Sequence, residues 1–420
     1  MTGFRTVPAG YGGDLTVAVG PRLLRSVAAG AELAAHRTSW AAPQPVPAAE
    51  LVSRTERVGL RGRGGGGFPF SRKLAVALGA GRRRAVIVNA AEGEPGSGKD
   101  SALLLTAPHL VLDGADLVAT ALDCTTVTVV VPAERPAVGG AVRAAVAQRP
   151  GDLGYDLVVT GGTFVSGQAR AVVELVEGRE NLPVTAWTPE AVSGVKDRPT
   201  LLSNAETFAQ VAAVCALGVD EYLAIGLPAE PGTTLLTVAG DSPGGVVLEV
   251  PFGVALARVL PYCGFRTDGP VLIGGYHGAW LPVEEVARRT ISRQDLATVG
   301  ASIGAGVILP LGPTRCPVQV TASIVEYLAG HSARRCGPCR NGLPALATSV
   351  DELARDGGRE SVTRVKELVS LVTGRGACAH PDGTARLVRS LFRAFPDELA
   401  AHRDGRCALS PLPLSAAVAR

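Results

Sequence analysis

Two stretches of this 420-residue chain combine residue types and spacing that could do chemistry. The first is Gly59–Lys73, GLRGRGGGGFPFSRK. Its four consecutive glycines, Gly64–Gly67, form a backbone without Cβ atoms, which reaches φ > 0 and lets a flat or anionic ligand lie against it. Arg61 and Arg63 add charge, and Lys73 falls on the first turns of an expected helix. Exposed amides ahead of a helix start, with Arg and Lys, make a phosphate site. A flexible linker would be a Gly/Ser tract, whereas this run carries Arg, Phe68 and Pro69. The second stretch holds Cys336 and Cys339, separated by two residues, joined by Cys378 from a later Gly-rich loop. A turn that presents two thiolates to one centre is a metal signal. Cys124, Cys215, Cys263 and Cys407 stand alone in apolar or terminal settings and read as packing residues.

The elements that position these groups follow from the apolar pattern. Glu50–Val58 reads as a helix leading into the glycine loop. Arg84–Asn89 (RAVIVN) reads as a short buried strand that ends in the acidic, Gly/Pro-rich turn NAAEGEPGSGKD. That places polar groups at the carboxyl end of a strand, where α/β folds hold ligands. Gly93 to Lys99 imitates a nucleotide phosphate loop, but Asp100 follows instead of Ser or Thr, and Glu94 would repel a triphosphate. Strands Val127–Val131 and Asp156–Thr160, with a helix near Ala137–Ala147 between them, extend a parallel α/β sheet. Near the N-terminus, Leu15–Val19 is an isolated apolar stretch, and Leu23, Leu24, Val27 and Leu33 fall on a helical pattern. From Pro317 the chain reads as four amphipathic helices, Val318–Leu328, Leu343–Ala354, Ser361–Leu371 and Ala385–Phe395, with short connections that suggest a small bundle.

Composition sets bounds. Hydrophobic residues make up 46% and charged residues 19% of the chain, which describes a globular protein. A net charge of +3, with basic residues spread along the chain, argues against nucleic acid as a partner. Only Lys73, Lys99, Lys196 and Lys366 are lysines, so single lysines inside motifs stand out. No apolar run approaches the ~20 residues needed to span a bilayer, and MTGFRTVPAG carries no signal core. The expectation is a cytoplasmic protein without membrane insertion, peripheral at most to a membrane complex. In that setting eight cysteines read as metal ligands or buried thiols rather than disulfides.

GLRGRGGGGFP resembles the GLRGRGGAGFP loop of the flavin-binding 51-kDa-type subunit of NADH:quinone oxidoreductase, complex I. NAAEGEPGSGKD is similar to that family's NADEGEPGTFKD, and PHLVLDGA to its PHLLIEG. GGTFVSGQARAVVELVEG is similar to GAYICGEETALLNSLEG, and PTLLSNAETFAQV to PTTVNNVETLANV. HSARRCGPCRNG and GRGACAHPDG resemble the family's cluster-binding segments. The resemblance implies an α/β FMN/NAD-binding domain over 50–225, preceded by an N-terminal extension and linker over 1–49. It further implies a β-grasp (ubiquitin-like) domain over 233–300 and a helical iron–sulfur domain over 317–405.

It also implies site residues. Gly62, Arg63, Gly64, Gly65, Gly66, Gly67 and Lys73 would supply loop and charge to FMN. Asn89, Glu92, Gly167, Ser203 and Asn204 would line it. Phe68 would stack on an adenine and Glu94 would accept from a ribose, with Glu92 and Glu94 as the catalytic carboxylates. The expected function is an electron-transfer flavoprotein: FMN takes hydride from NADH and passes electrons to a [4Fe-4S] cluster. The redox partner would be a ferredoxin or a 2Fe-2S subunit.

Departures are specific. The family's Asp is Ala91, its Tyr is Phe164, its Cys is Ser166, its paired Glu are Gln168 and Ala169, and its aromatic after Lys is Leu74. These weaken the expected NADH site more than the flavin site. Two alternatives follow: a flavoprotein that exchanges electrons with ferredoxin, and a non-catalytic scaffold of a redox complex. The family's first cluster Cys is Ala333, leaving Cys336, Cys339 and Cys378. His380 is the first choice for an altered fourth ligand, with His331, Cys316 or solvent also open. Three Cys and one His would equally suit zinc.

Overall fold

A computed structural model describes residues 3–8, 13–81, 83–240, 245–312, 314–355 and 357–408. The chain forms two compact units. The first comprises residues up to 162, 166–254 and 305–307; the second comprises 163–165, 255–304 and the chain from 308.

The first unit is built on a four-stranded parallel sheet. Its order is Gly154–Val159, Thr126–Val131, Ala85–Asn89, Thr200–Asn204. The β-branched runs AVIVN and TVTVVV fill its middle, because branched side chains pack well on a pleated surface buried on both faces. Helices Pro108–Ala121 and Ala205–Leu217 are buried along nearly their whole length. Gly114 explains how closely they approach: a Cβ there would lie 1.9 Å from the Phe208 carbonyl oxygen. A second group of strands pairs Phe4–Val7 with Leu15–Ala18, then Gly245–Pro251 in parallel, then Thr233–Ala239. The segment 1–49 is therefore more than an extension and linker, since it supplies two strands and the helix Leu33–Ser39. Residues 23–29 form turns, and helix starts only at Leu33.

In the second unit, Val271–Ile273 pairs antiparallel with Ala279–Leu281 and with residues 308–310. The segment 233–300 is shared between the units, dividing after residue 254. Five helices follow: Pro317–Gly330, Leu343–Arg355, Arg359–Val372, His380–Ala394 and Pro396–Arg403. The apolar stripes of the first four, including Val325, Leu346, Val350, Val369 and Leu391, enclose one core that Leu399 of the fifth joins. Among the described residues no single helix is long and apolar enough to cross a membrane.

Candidate functional site

The glycine loop is closed at its base by paired backbone. Gly62 N donates to Phe68 O (2.9 Å), and Phe70 N donates to Leu60 O (2.8 Å). The tip, Gly64–Gly66, is exposed, and Phe68 is 52% exposed beside it. Gly65 (φ +98°) and Gly67 (φ +59°) sit in backbone that side-chain-bearing residues resist. Arg61 Nη1 donates to Gly67 O (3.1 Å) and holds the tip from outside.

Arg63 does not face the loop's ligand side. Its side chain is buried, donates to Thr233 O (3.1 Å), and lies 3.8 Å from Glu206 and 4.8 Å over the Phe252 ring. Its backbone N donates to Thr207 Oγ1 (2.9 Å). Arg63 thus anchors the loop, which corrects the expectation that it supplies charge to a phosphate.

Beneath the tip, Asn89 and Asn204 end adjacent parallel strands in register. Asn89 Nδ2 donates to Gly167 O (2.9 Å) and its Oδ1 accepts from Ala91 N (3.2 Å). Asn204 caps the Ala205–Leu217 helix by accepting from Glu206 N (3.0 Å). A Cβ on Gly64 would sit 3.4 Å from the Asn204 Cβ, so loop tip and strand ends are neighbours. Ser203 is buried one residue earlier. Lys73, in the first turn of the helix Phe70–Gly79, donates to Leu202 O (3.0 Å) on the same strand. Burial lowers its pKa, against the pull of Glu190. The structure therefore brings Gly64, Gly167, Lys73, Asn89, Ser203 and Asn204 to the carboxyl edge of the sheet, the ligand position of open α/β folds.

Glu92 is placed differently from expectation. It adopts φ +44°, and its carboxylate accepts from Ser97 Oγ (2.8 Å), Asp100 N (2.9 Å), Ser101 N (3.0 Å) and Arg135 Nη1 (2.6 Å). Burial opposes its ionisation, but the Arg135 charge, the Ser101 hydroxyl and Lys99 outweigh that and lower its pKa. A carboxylate so occupied at a helix N-terminus positions the turn; it is not poised to move protons. Glu94 is half-buried two residues later.

Sequence reading missed the charged cluster below. Lys99 Nζ is fully enclosed by Asp100 (3.0 Å), Glu206 (3.1 Å) and Asn204 Oδ1 (3.2 Å). Burial pushes Asp100 up to about 6, and the carboxylates around Lys99 overcome burial and raise its pKa. The phosphate-loop reading is excluded by the same contacts, because Lys99 points inward. The rarity of lysine was the one available signal.

In the second unit, Cys336 and Cys339 flank the start of a π-helical turn, Pro338–Gly342. Arg334 (φ +53°) bends the chain ahead of them, and Arg340 N donates to Cys336 O (2.9 Å). Contact with Cys378, then burial and Cys336, push the Cys339 thiol far up, so both other cysteines are neighbours of Cys339. Crowded thiols of this kind are relieved by a bound metal, so the donor set fits an iron–sulfur group. His380 is turned away. Its Nε2 meets Leu328 O at 2.8 Å and its Nδ1 meets His277 Nε2 at 3.1 Å, so both ring nitrogens are occupied. Cys316 is also elsewhere, against Glu398 and His402. Cys407, expected to be a packing residue, donates to Glu398 (3.0 Å) in that same group. His331 stacks on Tyr327 (4.0 Å) and buries an Nδ1 with no hydrogen-bond partner.

Residues 55–213 match the family described as the Nuo51 FMN-binding domain, and residues 319–402 match the NADH-ubiquinone oxidoreductase-F iron-sulfur binding region. The NADP-reducing hydrogenase subunit HndC of Solidesulfovibrio fructosivorans is 30% identical over 85% of this chain and 77% of its own. This chain belongs to the complex I 51-kDa flavoprotein family of oxidoreductases. The F component of the NADH-quinone oxidoreductase of Mycobacterium tuberculosis is 28% identical over 86% of each chain. An NAD+-reducing [NiFe]-hydrogenase in its H2-reduced state superposes with a TM-score of 0.77 at 28% identity. That match covers 84% of this chain and 63% of the hydrogenase chain. The mixed α/β fold with a parallel sheet, the FMN-binding domain and the iron–sulfur region are thus family properties of this chain.

Proposed function

We propose that this chain is the electron-input component of a redox complex, holding FMN on the glycine loop and a [4Fe-4S] cluster on Cys336, Cys339 and Cys378. The observation that carries this reading is the meeting of the exposed glycine tip with Asn204, itself in register with Asn89, at the sheet edge. When bound, FMN would supply the conversion of a two-electron hydride into single electrons, and the cluster would accept them one at a time. Exposed amides of Gly64–Gly66 and the Lys73 ammonium suit the phosphate, while Asn89, Ser203 and Asn204 offer polar contacts. Phe68 presents an open ring face for an adenine, and Glu94 lies near enough in sequence for a ribose. Glu92 holds the turn that carries Glu94.

His331 is the preferred fourth cluster ligand in place of His380, since its Nδ1 is buried without a partner. The finer architecture we favour is a β-grasp element within 233–300 and a helix bundle over 317–405. NADH is the proposed donor, and a 2Fe-2S subunit or a ferredoxin the proposed partner.

A second reading is favoured by Ala91, Phe164, Gln168 and Ala169: the flavin exchanges electrons with ferredoxin instead of NADH. Anaerobic protein should contain flavin and iron. Rapid mixing with NADH then separates the readings, because bleaching of the flavin by NADH supports the first and a flavin reduced only by ferredoxin supports the second. Protein without flavin would overturn both.

A further inference from the structure

A second group of metal-binding side chains lies outside the cysteine loops. Cys316 is the residue preceding the helix Pro317–Gly330. Glu398 and His402 stand one turn apart on Pro396–Arg403, and Cys407 follows that helix. All four are buried, His402 completely. Their ligand atoms lie within 4.8 Å of one another. Cys316 Sγ is 3.3 Å from His402 Nε2 and 3.4 Å from Glu398 Oε1. His402 Nε2 is 3.1 Å and Cys407 Sγ 3.0 Å from that same oxygen.

The histidine is oriented for ligation. His402 Nδ1 lies 3.0 Å from Leu353 O. A carbonyl only accepts, so Nδ1 carries a proton, and Nε2, which faces the two sulfurs and the carboxylate, is the atom that would offer its lone pair to a metal. A backbone carbonyl that fixes the tautomer in this way is the usual outer partner of a metal-bound histidine. The helix is anchored there too, since Gly358 N donates to His402 O (3.3 Å).

We propose that Cys316, Glu398, His402 and Cys407 bind one structural zinc ion. Ligand bonds of zinc to S, N and O predict tetrahedron edges of about 3.3–3.8 Å; the four separations of 3.0–3.4 Å need at most a few tenths of an ångström of expansion to reach them, and all six lie within 4.8 Å. Two thiolates, an imidazole and a carboxylate form a borderline-soft set that suits Zn²⁺. Four protein ligands close the site, which marks it as structural. Binding replaces the two thiol protons with the metal and releases them to solvent; no redox change is involved. The ion ties the start of one helix to the last helix and the segment after it. It shares no ligand with Cys336, Cys339 and Cys378 and stands independently of the flavin reading.

The test uses the full chain, produced with both iron and zinc supplied and purified anaerobically. Metal analysis should find one zinc per chain in addition to iron. X-ray absorption at the zinc edge should show two sulfur and two nitrogen or oxygen neighbours. His402→Ala and Cys407→Ser should each lose most of the zinc and keep the iron, whereas Cys336→Ser with Cys339→Ser should lose the iron and keep the zinc. If the first pair fails to fold, the absorption spectrum of the unaltered protein decides. Absence of zinc, a sulfur-only shell, iron in this group, or zinc that leaves with Cys336 would overturn the proposal.

Discussion

Asn89 and Asn204 face each other in register across two parallel strands, each at the last residue before its chain turns away from the sheet. Asn89 is tied sideways to Gly167, and Asn204 downward to Asp100 and Lys99. The pair thus links the glycine loop to a buried ion cluster. Asn204→Ala removes a helix cap, typically worth ~1 kcal/mol, and leaves Lys99 and Asp100 short of a partner. We expect a lower melting temperature and a flavin-to-protein ratio reduced at least several-fold, read by absorbance after gel filtration. Full flavin content in that variant would remove Asn204 from the site.

Gly65→Val should cost about 1–2 kcal/mol from the left-handed backbone alone, and should place a branched side chain over the exposed tip. Urea denaturation measures the first effect and flavin retention the second. Gly66→Ala, where a Cβ meets nothing within 4 Å and the backbone is not left-handed, is the control expected to fold normally.

Ala91, Gln168 and Ala169 lack the carboxylates of the family pattern. Gln168→Glu with Ala169→Glu should speed flavin reduction by NADH in stopped-flow mixing. Rapid reduction of the unaltered protein at micromolar NADH would make these departures irrelevant.

Iron content should fall sharply in Cys339→Ser, and His331→Ala should convert the cluster spectrum to that of a three-iron form on brief exposure to air. His380→Gln should leave the signal in place, because His380 Nε2 and Nδ1 are held by Leu328 O and His277. Electron paramagnetic resonance on anaerobic samples distinguishes these outcomes.

Acid should destabilise the first unit in two stages. Burial and then the Arg149 charge push His109 down to about 4, while the unfolded group titrates near 6.5. Unfolded chains then bind more protons, so stability falls as pH drops from about 6.5 toward 4. His109→Gln should flatten that segment of the urea-midpoint profile. Asp113 behaves as a depressed carboxylate. Burial opposes its ionisation, but hydrogen bonds from Arg37 and His36 and the Arg149 charge prevail. Its contribution is present above about pH 4 and is lost below it. Asp113→Asn should cost about 1.5–3 kcal/mol at pH 7, the range for hydrogen bonds to charged groups, since His36 and Arg37 lose their carboxylate while Arg149 keeps Asp116.

The sequence made the regular elements legible wherever apolar periodicity was strong. Val318–Leu328 lies within the helix Pro317–Gly330, and Arg84–Asn89 overlaps the strand Ala85–Asn89. The fifth C-terminal helix is not legible in the sequence because PDELAAHR buries only Leu399 among its apolar residues, so it carries no stripe. The placement of Asn89 and Asn204 was legible because motif and strand end coincide, and that of Gly64 and Lys73 because the glycine run leads into a helix. The inward turn of Arg63, the grip of Arg135 on Glu92, and the meeting of Cys316 with Cys407 depend on partners tens of residues or more away. No spacing rule encodes such distant choices.

The strand Leu15–Ala18 lies between Phe4–Val7 and Gly245–Pro251, and Glu249 accepts from the backbone of Arg22 (3.0 Å) and Leu24 (3.1 Å). During synthesis the first strands must therefore wait until residue 251 has left the ribosome before they can be completed. At ~5–20 residues per second that is a delay of roughly ten seconds or more. For that interval a hairpin with an open edge is exposed to the cell, so chaperone demand in this protein should concentrate at its beginning.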